Sequence, residues 1–166
     1  MMAVGAGGIY SSAEDLCRFQ RAITRQDGKG LVSSEAVRAL EPKEYLKGVW
    51  VTDGEDNVFG FGLGWDNVNG FPFNRYNIRA LSKGGDSNSY HSQVVSLPDL
   101  GLNISVVSSG GGSDSDLAFA NYALLEVLKE KNIINDILPD VQWTSEKSQV
   151  TPAYLTKYNG IYAYSI

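Results

Sequence analysis

The N-terminal part of the chain carries a helical pattern of apolar residues behind a capping serine. Ser12 places a hydroxyl at the N-cap and Asp15 places an acid three residues later, as in a capping box with Asp at the Glu position. Three apolar side chains then share one helical face: Leu16, Phe19 and Ile23. The pattern predicts an amphipathic helix, which the glycine-containing segment 26–30 ends.

A second, shorter helix is predicted after Ser33 or Ser34. It extends to about Leu40, and Pro42 ends it because the residue before a proline is biased away from helical backbone angles. Residues 43–58 carry little periodicity and predict a surface excursion.

Apolar residues alternate with glycine in the segment FGFGLGW, from Phe59 to Trp65. A period of two predicts a strand with one bare face. Glycine destabilises a strand, so three in alternation indicate either that another backbone or a ligand approaches this face closely, or that the strand packs tightly on a helix. The sequence does not favour one of these explanations over the other.

Residues from about Ile78 to Ser108 alternate in the manner of three strands. The middle strand ends at Leu97 and the last begins near Leu102. Pro98 suits the second position of a four-residue turn, and Gly101 can adopt a positive φ. The region therefore predicts an antiparallel hairpin.

The last strong pattern is a long helix that Ser113 is expected to cap. Acids lie in its first turn and lysines near its end, where each complements the helix dipole: Asp114, Asp116, Lys129 and Lys131. The predicted buried stripe consists of Leu117, Ala120, Leu124, Val127 and Leu128. This stripe is expected to pack across the sheet.

The composition is that of an ordinary globular domain, with 166 residues of which 43% are hydrophobic and 20% charged. The formal net charge of -5 and the scattered basic residues argue against a nucleic-acid partner. Because Cys17 and His91 are the only cysteine and histidine, neither a disulfide nor a metal site is predicted, and no cofactor is expected. The sequence shows neither a long apolar run nor a basic leader, so no membrane span and no signal peptide are expected.

Three motifs, by their order and spacing, resemble the C-terminal half of the serine β-lactamase and penicillin-binding-protein-like family: Ala6–Ile23, Phe59–Trp65 and Leu81–Gly112. The resemblance covers most of residues 5–131 and includes D-alanyl-D-alanine carboxypeptidases and class C β-lactamases. It implies an α+β fold, an antiparallel sheet with flanking helices that forms part of the β-lactamase/transpeptidase-like fold. It also implies a longer parent enzyme that usually works outside the cytoplasm, while the localisation of this chain stays open.

In the family that the chain resembles, catalysis needs a serine and a lysine in an S-x-x-K motif, a Tyr or Ser in a second motif, and a K-T-G or H-x-G strand. The third motif is present as Lys83-Gly84-Gly85, with Gly84 in place of the usual hydroxyl residue. By resemblance, Lys83 supplies positive charge for a substrate carboxylate, and Gly85 lets substrate lie flat on the strand. The N–H of Asp86 is by resemblance half of an oxyanion hole. These four residues are the predicted substrate-binding set, and no catalytic set is complete.

The rest of the sequence offers no replacement for the missing motifs. Ser145 is one residue too close to Lys147 for S-x-x-K, Thr144 has the spacing but lies in an irregular segment, and no Y-x-N occurs. A serine, a histidine and an aspartate lie within residues 86–91, but so short a segment is not expected to align them as a triad. Lys-Gly-Gly is also common as a strand end with a solvated lysine, so its functional meaning depends on its position among the other motifs.

The sequence predicts three parts of the chain. Residues 1–135 are the C-terminal portion of a β-lactamase-like domain, residues 136–151 are a linker, and residues 152–166 are the start of a truncated β module. Three functions stay open. In the first, the chain is a piece of a serine hydrolase that acts on β-lactams, D-alanyl-D-alanine peptides or esters, and it is inactive alone. In the second, it is a module that binds a carboxylated peptide. In the third, it is a self-associating domain. The strand Tyr90–Leu97 and the helix Ser113–Lys131 are expected to present apolar faces that a homo-oligomer or the missing N-terminal half of the parent covers.

Overall fold

A three-stranded antiparallel sheet lies between two helices in the computed structural model of the protein. The structure describes residues 7–24, 29–42, 60–139 and 156. The helices are α1 (Ala13–Thr24), α2 (Ser34–Leu40) and α3 (Ser113–Glu130), and the strands are β1 (Leu81–Asp86), β2 (Tyr90–Leu97) and β3 (Leu102–Ser109). The α+β fold class predicted from the sequence is confirmed.

The strands follow one another in the order β1, β2, β3, so that β1 forms one edge of the sheet. β2 and β3 pair antiparallel, and the predicted turn between them ends at Gly101 with a φ of 63°. β1 pairs with β2 so that Lys83 lies opposite Val94 and Gly84 lies opposite Gln93. Because opposite residues share a face and neighbours along a strand do not, this register decides which side chains each face presents.

The side of the sheet under α3, here called the α3 face, carries the larger core. Its apolar residues from the strands are Val95, Leu97, Leu102, Ile104 and Val106. α3 covers them with the predicted stripe, of which Ala120, Leu124 and Leu128 are buried. Leu125 and, beyond the helix, Ile134 join the same core. Removing these side chains from water stabilises the docking of α3.

The opposite side, here called the α1 face, is covered by α1 over β2 and β3. Its strand residues include Leu81, Lys83, Val94, Ser105 and Val107. The buried residues of α1 are Gln20 and Thr24, whereas Phe19 of the predicted apolar face is 53% exposed. The Gln20 Nε2 donates to the Ile104 carbonyl at 3.3 Å, so a polar stripe of the helix contacts the sheet. Phe19, although it belongs to the predicted apolar face, is therefore not among the buried residues of α1.

Residues 60–65 are irregular, with a bend at residues 63–64, and the strand predicted there is wrong. Gly60 and Gly64 have φ of 72° and 84°, which an extended strand does not allow. The Val68 side chain occupies the space that a Cβ on Gly62 would need. The glycines thus permit turns and one close approach, and the segment closes a second, smaller core formed by Trp65, Val68 and Leu81.

Two of the predicted helix caps form as expected. The Asp15 N–H donates to the Ser12 Oγ at 3.2 Å, at the start of α1. The Ala36 N–H donates to the Ser33 Oγ at 3.2 Å, which fixes Ser33 as the N-cap of α2. In both helices the hydroxyl satisfies an N–H that the first turn leaves without a helical partner.

The chain that follows α3 packs back along the molecule over residues 133–139. The Arg75 Nη1 donates to the Pro139 carbonyl at 2.9 Å, and the Leu138 N–H donates to the Tyr76 hydroxyl at 2.7 Å. These bonds tie the start of the predicted linker to the segment before β1.

Several segments with sequence predictions lie outside the described residues: 43–58, Phe59, residues 140–151 of the predicted linker, and all of the predicted β module 152–166 except Thr156. The division of the chain into domains therefore stays a prediction. Among the described helices, none has the length and apolar character that crossing a bilayer requires.

Candidate functional site

Within the described parts of the chain β1 is an edge strand, and its outer edge is only partly paired. Ser82 exchanges backbone hydrogen bonds with the segment before it: its N–H donates to the Asn67 carbonyl at 2.8 Å, and the Asp66 N–H donates to its carbonyl at 2.9 Å. Backbone groups of alternate residues point to the same edge of a strand. The N–H groups of Gly84 and Asp86 therefore point outward as well, beyond the end of this short pairing.

Lys83 extends its ammonium over this edge from the α1 face. The Nζ lies 3.1 Å from the Asp66 Oδ1 and donates to the Gly84 carbonyl at 2.6 Å. The Lys83 side chain is 48% exposed and the Asp66 side chain 47% exposed, so the ion pair is in contact with solvent. The lysine is thus held at the strand by an acid that the sequence analysis did not identify.

Asp66 also binds the backbone of β1. The Gly84 N–H donates to the Asp66 Oδ2 at 2.7 Å, so a side-chain oxygen takes the position that a neighbouring strand's carbonyl would occupy. One carboxylate therefore engages both the ammonium and the N–H of the Lys-Gly-Gly motif. Sequence reasoning missed Asp66 because 17 positions separate it from Lys83, and the only signal was an acid directly after the FGFGLGW segment.

The two glycines of the motif lie close to the side-chain ends of their cross-strand neighbours. A Cβ on Gly84 would lie 2.8 Å from the Gln93 Oε1, and a Cβ on Gly85 would lie 2.8 Å from the Ser92 Oγ. Gln93 is buried, so its side chain fills the space beside Gly84. The hydroxyl residue that the family usually has at this position is replaced by a bare backbone over a buried amide.

Asp86, at the end of β1, joins three elements. Its Oδ1 lies 2.6 Å from the His91 Nδ1 on β2, and its Oδ2 accepts from the Ser113 Oγ on α3 at 2.8 Å. The hydrogen bonds from His91 and then Ser113 hold the pKa of the Asp86 carboxyl below its usual value. Asp86 is therefore ionised at neutral pH and accepts from both neighbours.

Ser113 does not cap α3 as the sequence predicted. The N-cap is Gly112, which makes no side-chain capping bond, and Ser113 is the first helical residue. Its hydroxyl donates to the Asp86 carboxylate on β1, and hydrogen bonds to an ionised acceptor are among the stronger ones in proteins. The contact between β1 and the start of α3 replaces the local cap.

The structure brings Asp86 and His91 together but builds no relay with a serine. The Ser87 hydroxyl donates to the Tyr90 carbonyl at 2.9 Å, within its own turn. Asp86 lies between His91 and Ser113, so the carboxylate and not the imidazole accepts from the hydroxyl. A general base for a serine nucleophile needs the imidazole in the middle position. The contact between His91 and Asp86 therefore holds the Asp86 carboxylate in place and does not activate a serine.

A cavity of about 530 Å³ opens along the β1 edge and the first turn of α3. Its described lining includes the four residues predicted from the sequence: Lys83, Gly84, Gly85 and Asp86. It also includes carboxylates from Asp66 and Asp114. The arrangement offers outward N–H groups, one ammonium and three carboxylates to a ligand. No group of three or more His, Cys, Asp or Glu in the described parts of the chain is arranged to hold a metal ion.

Comparison with known proteins gives one match. Residues 1–129 match the family model described as Beta-lactamase. No curated protein and no solved structure matches the chain. The matched range contains α1, α2, the whole sheet and nearly all of α3, and so every residue of the cavity described above.

Proposed function

The chain belongs to the Beta-lactamase family, and we propose that its β1 edge forms the substrate-binding wall of a serine-hydrolase site. The observation that carries the proposal is the cavity along the outer edge of β1, which is lined by all four residues from Lys83 to Asp86. An extended acyl group adds to such an edge as a further strand would, through backbone hydrogen bonds. The substrates implied by the family resemblance are β-lactams, D-alanyl-D-alanine peptides and esters.

Each residue of the motif has a role in this proposal. The outward Asp86 N–H donates to the acyl oxygen as charge develops there, because a fixed backbone donor stabilises an oxyanion without reorganisation. The bare backbone at Gly84 and Gly85 lets the acyl chain approach the strand. Lys83 attracts a carboxylate on the substrate, at a position where its ammonium already lies beside Asp66.

We further propose that the chain corresponds to the C-terminal half of the hydrolase domain and does not acylate by itself. The sequence holds no S-x-x-K, and Ser113, one of the two serines in the described cavity lining, donates to the ionised Asp86. A serine is a weak nucleophile unless a neighbouring base takes its proton. The Lys83 amine is bound to Asp66 and to the Gly84 carbonyl. The nucleophile and its base are therefore expected from another polypeptide segment.

The direct test is incubation of the purified chain with a labelled penicillin, followed by intact-mass measurement. We expect no adduct, because no serine among the described cavity residues is paired with a general base. Stoichiometric labelling would contradict the proposed inactivity and would direct attention to Ser82, Ser87 and Ser89.

Binding by the β1 edge is tested separately with N-acetyl-D-alanyl-D-alanine, by NMR titration of the wild type and of Lys83→Ala. We expect millimolar affinity that falls in the variant, since an exposed ammonium contributes only about 1 kcal/mol or less. Lys131→Ala is the matched control, because Lys131 lies at the far end of the 18-residue α3, about 27 Å along the helix from the cavity. Identical titrations for the wild type and Lys83→Ala would remove the carboxylate contact from the proposal.

The second candidate function is self-association, and exposed apolar residues on the α1 side favour it. Tyr90 and Val107 are 66% and 44% exposed and are diagonal neighbours on the α1 face. The stripe of α3 does not contribute, because Leu124 is buried against the sheet of the same chain. Light scattering over a hundredfold dilution, with Tyr90→Lys as the disrupting variant, separates this function from the first. A wild-type monomer at every concentration would exclude it.

A further inference from the structure

The position of Asp66 is fixed by its own backbone. The Asp66 N–H donates to the Ser82 carbonyl at 2.9 Å, and the Ser82 N–H donates to the carbonyl of the following residue, Asn67, at 2.8 Å. These two bonds attach the residue to the edge of β1. The backbone of Asp66 therefore stays at the edge unless this pairing breaks, and the carboxylate moves mainly by rotation of the side chain.

The carboxylate occupies the place that a ligand carboxylate needs. Its oxygens lie 3.1 and 3.2 Å from the Lys83 Nζ, and its Oδ2 accepts from the Gly84 N–H at 2.7 Å. An ammonium and an outward N–H are the two donors with which this strand would hold an anion. Both donors are already satisfied within the chain.

A ligand anion also meets negative charge in the rest of the cavity. Asp86 and Asp114 line it together with Asp66, against the single ammonium of Lys83 among its described lining residues. A carboxylate that displaced the Asp66 side chain would leave that charge nearby and unpaired. Like charges a few ångströms apart repel, and the repulsion grows as water leaves the site.

We propose that Asp66 is a specificity-determining residue that competes with ligand carboxylates for Lys83 and the Gly84 N–H. The site therefore favours acyl substrates that carry no carboxylate at this position, that is, neutral esters and amides. The inference rests on the proposed function, because it concerns what the β1 edge binds, but it names a residue and a preference that the family resemblance does not supply.

The test compares two matched probes, N-acetyl-D-alanyl-D-alanine and its neutral methyl ester, by NMR titration of the Gly84 and Gly85 amides. Asp66→Asn keeps an acceptor for the Gly84 N–H and removes the charge, whereas Asp66→Ala removes both. Asp136→Asn is the control, since Asp136 forms an exposed ion pair with Lys129, 3.2 Å apart, outside the cavity lining. Asp66 is about half exposed, so these variants are expected to fold.

We expect the free acid to bind Asp66→Asn about 5- to 10-fold more tightly than the wild type, because one charge-assisted competitor is lost. The affinity of the free acid for Asp66→Ala should rise by at least as much, and the affinity of the methyl ester for either variant should change by about twofold or less. The gain for the acid should disappear when Lys83→Ala is added to Asp66→Asn, because the freed ammonium is its cause. The control should bind both probes as the wild type does.

Unchanged acid affinity in both Asp66 variants, with binding that still falls in Lys83→Ala, would overturn the inference and leave the proposed function standing. An equal gain for acid and ester would also overturn it, because a gain without charge dependence indicates a steric effect. If neither probe moves the β1 amides in any variant, both the inference and the proposed binding wall are wrong.

Discussion

The α3 face of the sheet is covered by apolar side chains, whereas the α1 face is covered by a helix whose buried positions are polar. Under α3, Leu97 and Leu128 are completely buried in one continuous core. Under α1, the Gln20 Oε1 and the Ser105 Oγ are buried, and neither has a hydrogen-bond partner among the residues that the structure describes. Buried polar atoms without partners are costly, so the α1 face is the weaker of the two.

The difference separates stability from binding in this domain. The residues that hold the sheet together face α3, and Lys83 projects from the α1 face. The cavity lies at the β1 edge, which α3 contacts only at its first turns. Lys83 can therefore change without disturbing the apolar core, whereas Asp86 also joins β1 to α3. Three predictions test this comparison, from the largest expected effect to the smallest.

Leu128→Ala should lower the free energy of unfolding by about 2 to 5 kcal/mol, because it empties space in a fully buried core. Phe19→Ala on the opposite helix should cost about 1 kcal/mol or less, since that ring is already half in water. Urea denaturation of the two variants measures both values. Equal losses would mean that the α1 face carries as much stabilising burial as the α3 face.

Gln20→Met should raise the free energy of unfolding by about 1 kcal/mol, because it removes a buried oxygen that has no partner. The variant also loses the 3.3 Å bond to the Ile104 carbonyl, which limits the gain. Gln20→Glu is the opposing control and should destabilise, since it places a charge in the same buried position. A less stable Met variant would show that the amide is satisfied in solution and that the polar contact stabilises α1.

Asp86→Asn should destabilise the protein at neutral pH, and the difference from the wild type should narrow as pH falls. The pKa of Asp86 is lowered in the folded state by hydrogen bonds from His91 and Ser113, from an ordinary value of 3.8. A lowered folded pKa gives stability that is fully present above the unfolded value and is lost as pH falls through the folded one. The difference in stability between the wild type and Asp86→Asn should therefore narrow at and below pH 3.8.

Denaturation of the wild type, Asp86→Asn and the Asp86→Asn/Ser113→Ala double variant over this pH range tests the assignment. The difference in stability between the double variant and Asp86→Asn should not depend on pH, because both variants lack the ionised acceptor. A difference between wild type and Asp86→Asn that is constant with pH would mean that the contact stabilises through shape and not through charge.

Local patterns were sufficient for most of the elements. The hairpin was predictable because Pro98 and Gly101 restrict the turn themselves, and α1 and α2 begin at hydroxyl caps that bond within three residues. The stripe of α3 was predictable because helical spacing places it on one side whatever covers it. The alternating glycines of residues 60–65 led to a wrong strand prediction, because alternation in sequence cannot distinguish a strand with one bare face from an irregular segment whose glycines have positive φ.

The sequence by itself determined the family, the hairpin, the starts of α1 and α2, and the Lys83-Gly84-Gly85 motif on a strand, because these depend on residues that are close along the chain. Only the tertiary structure decided that Asp66 binds Lys83 and Gly84, that Asp86 joins His91 to Ser113, and that Gln20 is buried in place of Phe19. Each of these contacts depends on the sheet register and on which helix face docks. Those are set by the burial of the whole core, which no local pattern records.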